Sequence, residues 1–501
     1  MWPVTAILGA ALAASAWFLY AEHGIAGQWG YSLDDSWIYA TFARNLATGH
    51  GYSFNPGEPI GGATGPLYVF LLAALYSLFR DVVIPAKVLG VGCLCASSIL
   101  TYRGMGRMDP RDAVKPLLAG LLVALSPVLL WGSVAGLELP VYLLAACAGF
   151  YCYVRSQWTL AVLVWSVGVW LRPDGLFLVL VGLFLRPGLT ARNTVKPAVA
   201  ALLIVGAYFA FNYGVGGTLF PTTVAVKSRI GGDVLGRERE IARQWLDFWG
   251  LPLKAGRYGG HAFLLLPALI VGAALTARRW PALPAYLLGF PLAFALFGKP
   301  AGQYGRYIAY VVPIGLLLGL TGLDYFARRA IGRRYLVMIV ALGAICVGWQ
   351  VVRARSMGIS HGWNVRNING MHRYIGEAMR RANSPGDTIA VNDVGAMGYF
   401  SECYIVDLAG LVSPVRSFPE ALRLYRPKAM IIFPDWFQQF AAIDPGTGQV
   451  VFYDADSTYK WSPIIGVGLR RNTIAARPAL YVYERLLRNE PGARDVKMII
   501  H

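Results

Sequence analysis

The sequence predicts a polytopic α-helical membrane protein that ends in a smaller α/β domain outside the membrane. Of its 501 residues, 56% are hydrophobic and only 14% are charged, whereas globular proteins average about 25% charged residues. Long apolar runs recur up to about residue 352, and shorter segments of alternating hydropathy follow. This composition excludes a disordered chain and an ordinary soluble enzyme.

Residues 1–352 contain about 11 apolar runs that we interpret as transmembrane helices. The first is Val4–Tyr20, and the others are 83–101, 116–132, 138–154, 159–171, 174–185, 197–213, 263–277, 281–298, 307–323 and 335–352. Pro66–Phe79 is also apolar, but as a helix it would rise only about 21 Å, less than the roughly 30 Å hydrocarbon core. We therefore expect Pro66–Phe79 to lie at the outer surface of the membrane.

Most of the positive charge lies in short connections between the apolar runs, where it indicates the cytoplasmic side. The formal net charge is +18, and this distribution fits membrane orientation better than nucleic-acid binding. The pattern places the first loop, 22–63, the loop 214–262 and the domain 353–501 on the exterior, which is the periplasm if the membrane is a bacterial plasma membrane. Loop 214–262 is itself basic, so either the charge rule fails there or its cations bind an anionic group.

The predicted C-terminal domain, 353–501, begins with a helix and continues with strands. Trp363–Asn383 has a helical pattern that ends at a Ser-Pro-Gly sequence. Four later segments have the length and composition of strands: Asp387–Asn392, Tyr404–Asp407, Ala429–Phe433 and Gln449–Tyr453.

The candidate catalytic residues are Asp34 and Asp35, in a short helix that follows the first span. Ile38, Phe42 and Leu46 recur at helical spacing, and Gly49 is a suitable stop. One aspartate at the start of this helix is expected to cap it. The second would add repulsion and a desolvation cost beside the membrane, so the pair suits a general base, a divalent cation such as Mg²⁺, Mn²⁺ or Ca²⁺, or both.

Further ionisable residues lie at the predicted exterior ends of other spans, where they are rare and usually functional. Arginine and lysine side chains there could bind the phosphate of a lipid-anchored substrate, although snorkelling or a mutual Arg–Asp pair is an equal alternative for each residue. The candidate substrate-binding residues are Glu138, Arg172, Asp174, Lys227 and Arg306, together with Arg44 and His50 in the first loop. His50 lies in a Gly-His-Gly turn, where a lone histidine is more often structural than catalytic.

Six sequence blocks in chain order resemble the GT-C superfamily of polyprenyl-phosphate-sugar glycosyltransferases. They are DDSWIYATFARNLATGHGYSFNPGEPIGGATGPLY after the first span, GLELPVY, LRPDGLFL, NYGVGGTLFPTTVAVKS, GRYIAYVVPI, and DTIAVNDVGAMGYFSECYIVDLAGLVSP in the C-terminal domain. Within the superfamily, the chain is most similar to the bacterial cell-wall group that adds terminal β-arabinofuranosyl residues.

This resemblance implies inverting transfer of a sugar from a polyprenyl-phosphate donor to a cell-envelope glycan or glycolipid. It also implies that Asp34 is the base, with Asp35 beside it. The chain has Asp174 where the family more often has Glu, and Thr222 where an Asn is common, so the donor sugar (arabinofuranose-like or a hexose) is not implied.

Two other classes of function stay open at this stage. A transporter or flippase of lipid-linked glycans would use the same charges along a translocation path, but it would favour polar residues at mid-bilayer depth or paired, interrupted helices. A lipid-phosphate transferase of the phosphoethanolamine type would need a Ser or Thr nucleophile beside a metal site, and the sequence of the C-terminal domain has no such cluster.

Overall fold

The computed structural model describes residues 2–223, 239, 266–297, 303–413, 417–453, 458–492 and 495–501. Lys227 and most of the loop 214–262 therefore lie outside the described residues. Within the described part, the regular structure before residue 383 is helical, and all named strands follow residue 387.

Seventeen α-helices are described and are numbered here in chain order. The first ten are α1 Trp2–Ala26, α2 Asp34–Ala47, α3 Pro66–Phe79, α4 Val83–Met108, α5 Val114–Ala124, α6 Pro127–Val134, α7 Leu139–Val154, α8 Trp158–Val169, α9 Leu176–Phe184 and α10 Ala191–Gly216. The others are α11 Leu266–Thr276, α12 Ala282–Phe297, α13 Val312–Ile331, α14 Tyr335–Ile368, α15 Tyr374–Ala382, α16 Gly395–Ser401 and α17 Phe418–Tyr425.

Among the described residues, five helical segments are long and apolar enough to cross a membrane, or six if one bent pair counts as a span. The five segments are Trp2–Ala26, Val83–Met108, Arg192–Gly216, Gln303–Ile331 and Tyr335–Ala382. The bent pair is α5 with α6, which meet at 48°. Pro127 explains the break, because proline disfavours helical backbone in the residue before it. Shorter apolar helices coincide with other predicted spans, and the total of about 11 stays a prediction.

The predicted surface helix is α3, which covers the predicted range Pro66–Phe79. It ends at Arg80 in the left-handed conformation, with φ of 54°. Asp81 then accepts a hydrogen bond from the backbone N–H of Val83 at 3.0 Å and so helps to start α4. The position of α3 relative to the bilayer surface stays a prediction.

One helical column joins the membrane part to the C-terminal domain. Helix α14 continues through a π-helical turn, Asn369–Arg373, into α15, so helical backbone runs from Tyr335 to Ala382. The domain boundary predicted at 352–353 therefore falls inside a continuous helix. The column carries residues of both parts on one rigid element.

The C-terminal domain contains an eight-stranded sheet among the described residues. The strands are β1 Thr388–Val391, β2 Tyr404–Asp407, β3 Ala429–Ile432, β4 Ala441–Ile443, β5 Val450–Tyr453, β6 Tyr459–Gly468, β7 Ala479–Leu487 and β8 Lys497–Ile500. Their order is β2-β1-β3-β7-β6-β5-β4, and β8 pairs with β6. Strand β1 is parallel to both β2 and β3. The pairs β3–β7, β7–β6, β6–β5 and β5–β4 are antiparallel, so the sheet is mixed.

Three ionisable side chains from distant helices meet inside the helical part. Glu22 of α1 accepts hydrogen bonds from Lys87 of α4 at 2.8 Å and from His361 of α14 at 2.7 Å. All three side chains are buried. Burying one charge alone is costly, and a bonded partner offsets much of that cost. This buried cluster therefore fixes α1, α4 and α14 relative to one another.

Candidate functional site

Asp34 does not cap its own helix, contrary to the prediction. The residue before α2 is Leu33 in extended backbone, and no side chain caps that end. Instead, the Asp34 carboxylate accepts hydrogen bonds from the backbone N–H groups of Gly395 at 2.6 Å and Ala396 at 2.8 Å, at the start of α16. Asp34 thus caps a helix of the C-terminal domain and attaches α2 to it.

Two more ionisable side chains lie beside Asp34 at this contact. His372, in the π-helical turn, shares a hydrogen bond with Asp393 through Nε2 and Oδ2 at 2.8 Å. Burial raises the pKa of Asp34 to about 7, the negative charge of Asp393 adds to the increase, and His372 opposes it. The carboxylates of Asp34 and Asp393 repel each other when both are ionised. A proton on Asp34 relieves this repulsion near neutral pH.

The same three residues are the described group that could hold a metal ion, since their ligand atoms lie within 4.8 Å of one another. Two carboxylates and an imidazole suit several divalent cations. A metal-bound histidine, however, almost always donates its other N–H to an acceptor, and His372 Nδ1 is buried without a hydrogen-bond partner among the described residues. The surroundings of His372 therefore do not favour a bound metal ion at this contact.

Asp35, one residue further along α2, faces the membrane helices. Its Oδ2 accepts a hydrogen bond from Arg306 at 2.6 Å, and its side chain is 35% exposed against 8% for Arg306. Asp34 and Asp35 therefore bond to different partners, and this geometry does not join them as the predicted cation site. Asp35 has the accessible carboxylate of the pair.

A tight turn before α13 presents Arg306. Tyr304 and Gly305 both have positive φ, 60° and 71°, which is unusual for a bulky residue such as tyrosine. The Tyr304 hydroxyl accepts a hydrogen bond from Asn364 of α14 at 2.9 Å, which supports this backbone. Arg306 also donates to the Tyr307 hydroxyl at 3.0 Å, while its buried Nε has no hydrogen-bond partner among the described residues.

Arg172 forms a second charged group, with Glu138 and Asp174. It donates to Glu138 at 2.6 Å and bonds both carboxylate oxygens of Asp174, at 3.0 Å through Nε and 3.1 Å through a terminal nitrogen. All three side chains are at most 16% exposed. Arg172 and Asp174 therefore form the mutual Arg–Asp pair that was the alternative to substrate binding. Glu138 also belongs to this group.

The Tyr307 ring connects the two charged groups. The guanidinium carbon of Arg306 lies 4.9 Å from the ring centroid, and that of Arg172 lies 5.4 Å from it. We call the resulting set of six residues the Tyr307 site: Asp35, Glu138, Arg172, Asp174, Arg306 and Tyr307. It combines a partly exposed carboxylate with two guanidinium groups, an arrangement that can hold an anionic group near a potential base.

Two of the predicted substrate-binding residues lie elsewhere. Arg44 donates to the backbone carbonyl of Tyr399 at 2.7 Å and lies over its ring, so these contacts join it to the C-terminal domain. His50 is exposed and shares a hydrogen bond with Thr48 at 3.0 Å within its turn. The structure brings neither residue into contact with the Tyr307 site, and Lys227 lies outside the described residues.

Thr222, the position that departs from the family pattern, connects three segments. Its hydroxyl donates to the backbone carbonyl of Leu411 at 2.6 Å and lies 3.1 Å from that of Gly61. The first loop, the beginning of the loop after α10 and the C-terminal domain therefore meet at this side chain.

Sequence reasoning missed Tyr307, His372 and Asp393. Tyr307 directly follows a predicted site residue, so its position could have drawn attention to it. His372 and Asp393 had no such signal, because their proximity to Asp34 depends on the π-helical turn and on the docking of α16.

Comparison with known structures decides the fold. The apo structure of ArnT from Cupriavidus metallidurans superposes with a TM-score of 0.58 over 96% of this chain and 97% of ArnT, at 15% identity. The chain has the GT-C fold. The GT-C fold therefore extends over nearly the whole chain, as the order of the sequence blocks predicted.

Two further GT-C structures match less closely. The archaeal oligosaccharyltransferase AglB from Archaeoglobus fulgidus, in complex with an inhibitory peptide and a dolichol-phosphate, has a TM-score of 0.49 and 12% identity over 90% of this chain and 74% of AglB. A mutant form of the arabinofuranosyltransferase AftD from Mycobacteria has a TM-score of 0.41 and 14% identity over 97% of this chain and 42% of AftD.

Sequence comparisons add little to this. A family profile described as a domain of unknown function, DUF8728, matches residues 359–487, a range that includes His372 and Asp393. No curated protein matches the chain by sequence.

Proposed function

We propose that this protein is a membrane-embedded inverting glycosyltransferase. It transfers a sugar from a polyprenyl-phosphate donor to a cell-envelope glycan or glycolipid at the exterior face of a bacterial plasma membrane. The GT-C fold supports the class of enzyme, and the Tyr307 site supports the chemistry. The main structural support for the proposal is the 2.6 Å hydrogen bond between the partly exposed Asp35 carboxylate and the buried Arg306 guanidinium.

In this proposal Asp35, rather than Asp34, is the general base. A base must approach the acceptor hydroxyl to within hydrogen-bond distance. Asp34 is only 7% exposed and has both oxygens bonded to backbone N–H groups. The raised pKa of Asp34 would suit a base, but both of its carboxylate oxygens already accept hydrogen bonds from backbone N–H groups, so geometry favours Asp35.

Arg306 is the proposed ligand of the donor phosphate. As the bond between the anomeric carbon and the phosphate oxygen breaks, negative charge grows on the phosphate, and a buried guanidinium stabilises it. Arg306 Nε is buried without a hydrogen-bond partner among the described residues, so a phosphate oxygen that reaches it would complete its hydrogen bonding. Arg172 has a smaller role, because Glu138 and Asp174 already neutralise it.

The reaction then proceeds in one displacement. The Asp35 carboxylate takes the proton of an acceptor hydroxyl, the oxygen attacks the anomeric carbon, and polyprenyl phosphate leaves toward Arg306. The single displacement inverts the anomeric configuration. Arg306 also holds the Asp35 carboxylate through their 2.6 Å hydrogen bond, so one guanidinium fixes the base and receives the leaving group.

The test uses purified protein in liposomes with a fluorescent polyprenyl-phosphate arabinofuranose or hexose in the membrane. A transferase releases polyprenyl phosphate when an acceptor glycan is supplied, and mass spectrometry detects both products. The Asp35→Asn protein should bind the donor but release no polyprenyl phosphate above background. If the wild-type protein moves the labelled lipid between leaflets without breaking the sugar–phosphate bond, the protein is a flippase and the proposal is wrong.

The same assay tests whether transfer needs a divalent cation. If Mg²⁺, Mn²⁺ or Ca²⁺ binds through the Asp34 and Asp35 pair, chelation should abolish transfer. The separate partners of the two carboxylates favour the opposite outcome, in which transfer persists in the presence of a chelator.

A further inference from the structure

A cavity of about 260 Å³ lies outside the Tyr307 site, where three parts of the chain meet. The turn after α1 contributes Gln28, the α14–α15 column contributes Trp363, Arg366 and Arg373, and the sheet contributes Arg471 next to the end of β6. We call this cavity the junction pocket. It is smaller than the roughly 300–1,000 Å³ of pockets for drug-sized ligands, so it suits one sugar unit.

The junction pocket carries excess positive charge. Three arginines and one acidic residue, Glu377, line it. Glu377 is already bonded to Arg373 at 2.7 Å. The other two, Arg366 and Arg471, form no ion pair with an acidic residue in the described ranges. Two guanidinium groups in one small cavity therefore favour an anionic ligand.

Trp363 holds these two guanidinium groups together. The guanidinium carbon of Arg366 lies 5.1 Å from the Trp363 ring centroid, and that of Arg471 lies 4.6 Å from it. Both distances are within the range of a cation–π interaction. The arginines are thus partly ordered before any ligand binds, which reduces the entropy cost of binding an anion.

The height of the pocket argues against a lipid headgroup as the ligand. The apolar run of α14 ends at the exposed Val352, and Arg353 follows. Trp363 is ten residues further along the helix, about 15 Å at 1.5 Å per residue. The headgroup layer of one leaflet is only about 5–8 Å thick, so the pocket lies above it if α14 runs along the membrane normal.

We propose that the junction pocket binds a sugar unit that carries a carboxylate or a phosphate group. Arg366 and Arg471 bind the anionic group, and Gln28 and Asn369 offer polar atoms to the hydroxyls at the same cavity. As a statement about the acceptor this rests on the proposed glycosyltransferase function: the bound unit is then part of an acidic acceptor glycan. Binding itself requires no turnover.

The experiment measures binding to the full-length protein in detergent by calorimetry. The probes are trigalacturonate and glucose 6-phosphate, each compared with its neutral counterpart, methyl-esterified trigalacturonate and glucose. At least one anionic probe should bind roughly tenfold or more tightly than its neutral form, since hydrogen bonds to charged groups contribute about 1.5–3 kcal/mol. Its affinity should fall between about 50 mM and 300 mM salt, because salt screens exposed charges.

A double variant, Arg366→Gln with Arg471→Gln, should reduce this affinity by roughly tenfold or more. Arg380→Gln is the matched control, because Arg380 lies on α15, is 55% exposed and is paired with Glu402 at 3.4 Å. It should change the affinity by less than about twofold. Equal binding of the anionic and neutral probes, no binding of either anionic probe, or an unchanged affinity in the double variant overturns the proposal.

Two further readouts separate this proposal from its alternatives. If vesicles of phosphatidylcholine and phosphatidylglycerol in equal parts bind through Arg366 and Arg471 while neither anionic sugar does, the site is a lipid site and the sugar assignment is wrong. If the protein binds an anionic sugar through these arginines but transfers no sugar from any lipid donor, the proposed transferase fails and the pocket stands. If the protein transfers sugar but binds no anionic sugar, the proposed transferase stands and the proposal for the pocket fails.

Discussion

Asp34 and Asp35 are adjacent in sequence, but they contact different parts of the molecule. Asp34 lies against the C-terminal domain, where backbone N–H groups of α16 bond its carboxylate and Asp393 is close. Asp35 lies against the membrane helices, where it bonds Arg306 and is partly exposed. Because both residues are on α2, one helix attaches the C-terminal domain and also carries the proposed base.

This difference shows why sequence adjacency is a weak guide to shared function. Residue spacing predicts two carboxylates at one place, which suggested a common cation site. On a helix, consecutive residues point about 100° apart, so the two carboxylates contact different surroundings. Burial places Asp34 within the contact to the C-terminal domain, whereas the side chain of Asp35 is partly exposed.

The largest expected effect tests the proposed difference in role between Asp34 and Asp35. Asp35→Asn should reduce transfer by about 10²–10⁴-fold, because it removes a general base, with little effect on thermal stability in detergent. Asp34→Asn is the control with the same change of side chain, and it should retain much more activity. A folded Asp34→Asn protein that is as inactive as Asp35→Asn would contradict the division and return the base to Asp34, as the family resemblance implies.

Arg172→Gln should mainly affect stability. The change leaves the buried carboxylates of Glu138 and Asp174 without their cation, and breaking a buried pair costs about 3–5 kcal/mol. The free energy of unfolding can be measured in detergent with a chemical denaturant. Arg380→Gln, at an exposed pair, should cost less than about 1 kcal/mol. Normal stability with lost donor binding would instead give Arg172 a direct role at the donor phosphate.

Arg306→Gln should weaken donor binding by roughly tenfold or more, since charge-assisted hydrogen bonds contribute about 1.5–3 kcal/mol. Binding of polyprenyl phosphate itself is the suitable measurement, because it involves no chemical step. Arg306→Lys should restore part of the affinity, as it keeps the charge but not the planar geometry. Unchanged binding in both variants would falsify the phosphate role of Arg306.

The smallest expected effect is a pH dependence of stability that comes from Asp34. Its pKa in the folded protein is about 7, above the ordinary value of 3.8, so the folded state binds this proton more tightly than the unfolded state. The stabilisation is fully present below about pH 4 and is lost as the pH rises through about 7. Unfolding in detergent should therefore show a loss of about 1 kcal/mol between about pH 6 and pH 8. Asp34→Asn should remove this slope.

Local sequence patterns predicted the elements that depend on nearby residues. The helix after the first span, the stop near Gly49 and the strands at Thr388–Val391 and Tyr404–Asp407 all occur as expected. The strands β6 and β7 were not predicted, although they form the longest pair of the sheet. Their segments include proline, glycine and charged residues, so they lack a clean alternation of apolar and polar residues.

The contacts of the candidate site depend on tertiary structure, and sequence could not predict them. Arg306 was a candidate from its charge at the end of a span, but its bond to Asp35 joins residues 271 positions apart. The bond between Asp34 and Gly395 joins residues 361 positions apart. Charge and hydropathy indicate which residues are unusual for their location, whereas their partners follow only from the packing of whole helices.

The buried cluster of Glu22, Lys87 and His361 also constrains how the protein is assembled during synthesis. Glu22 and Lys87 precede His361 in the chain, so they leave the ribosome before it. Buried ionisable groups are costly unless they find bonded partners. Helices α1 and α4 can pair Glu22 with Lys87 first, and His361 completes the cluster when α14 docks. Helix α14 therefore completes the cluster and, through its continuation into α15, connects the membrane helices to the C-terminal domain.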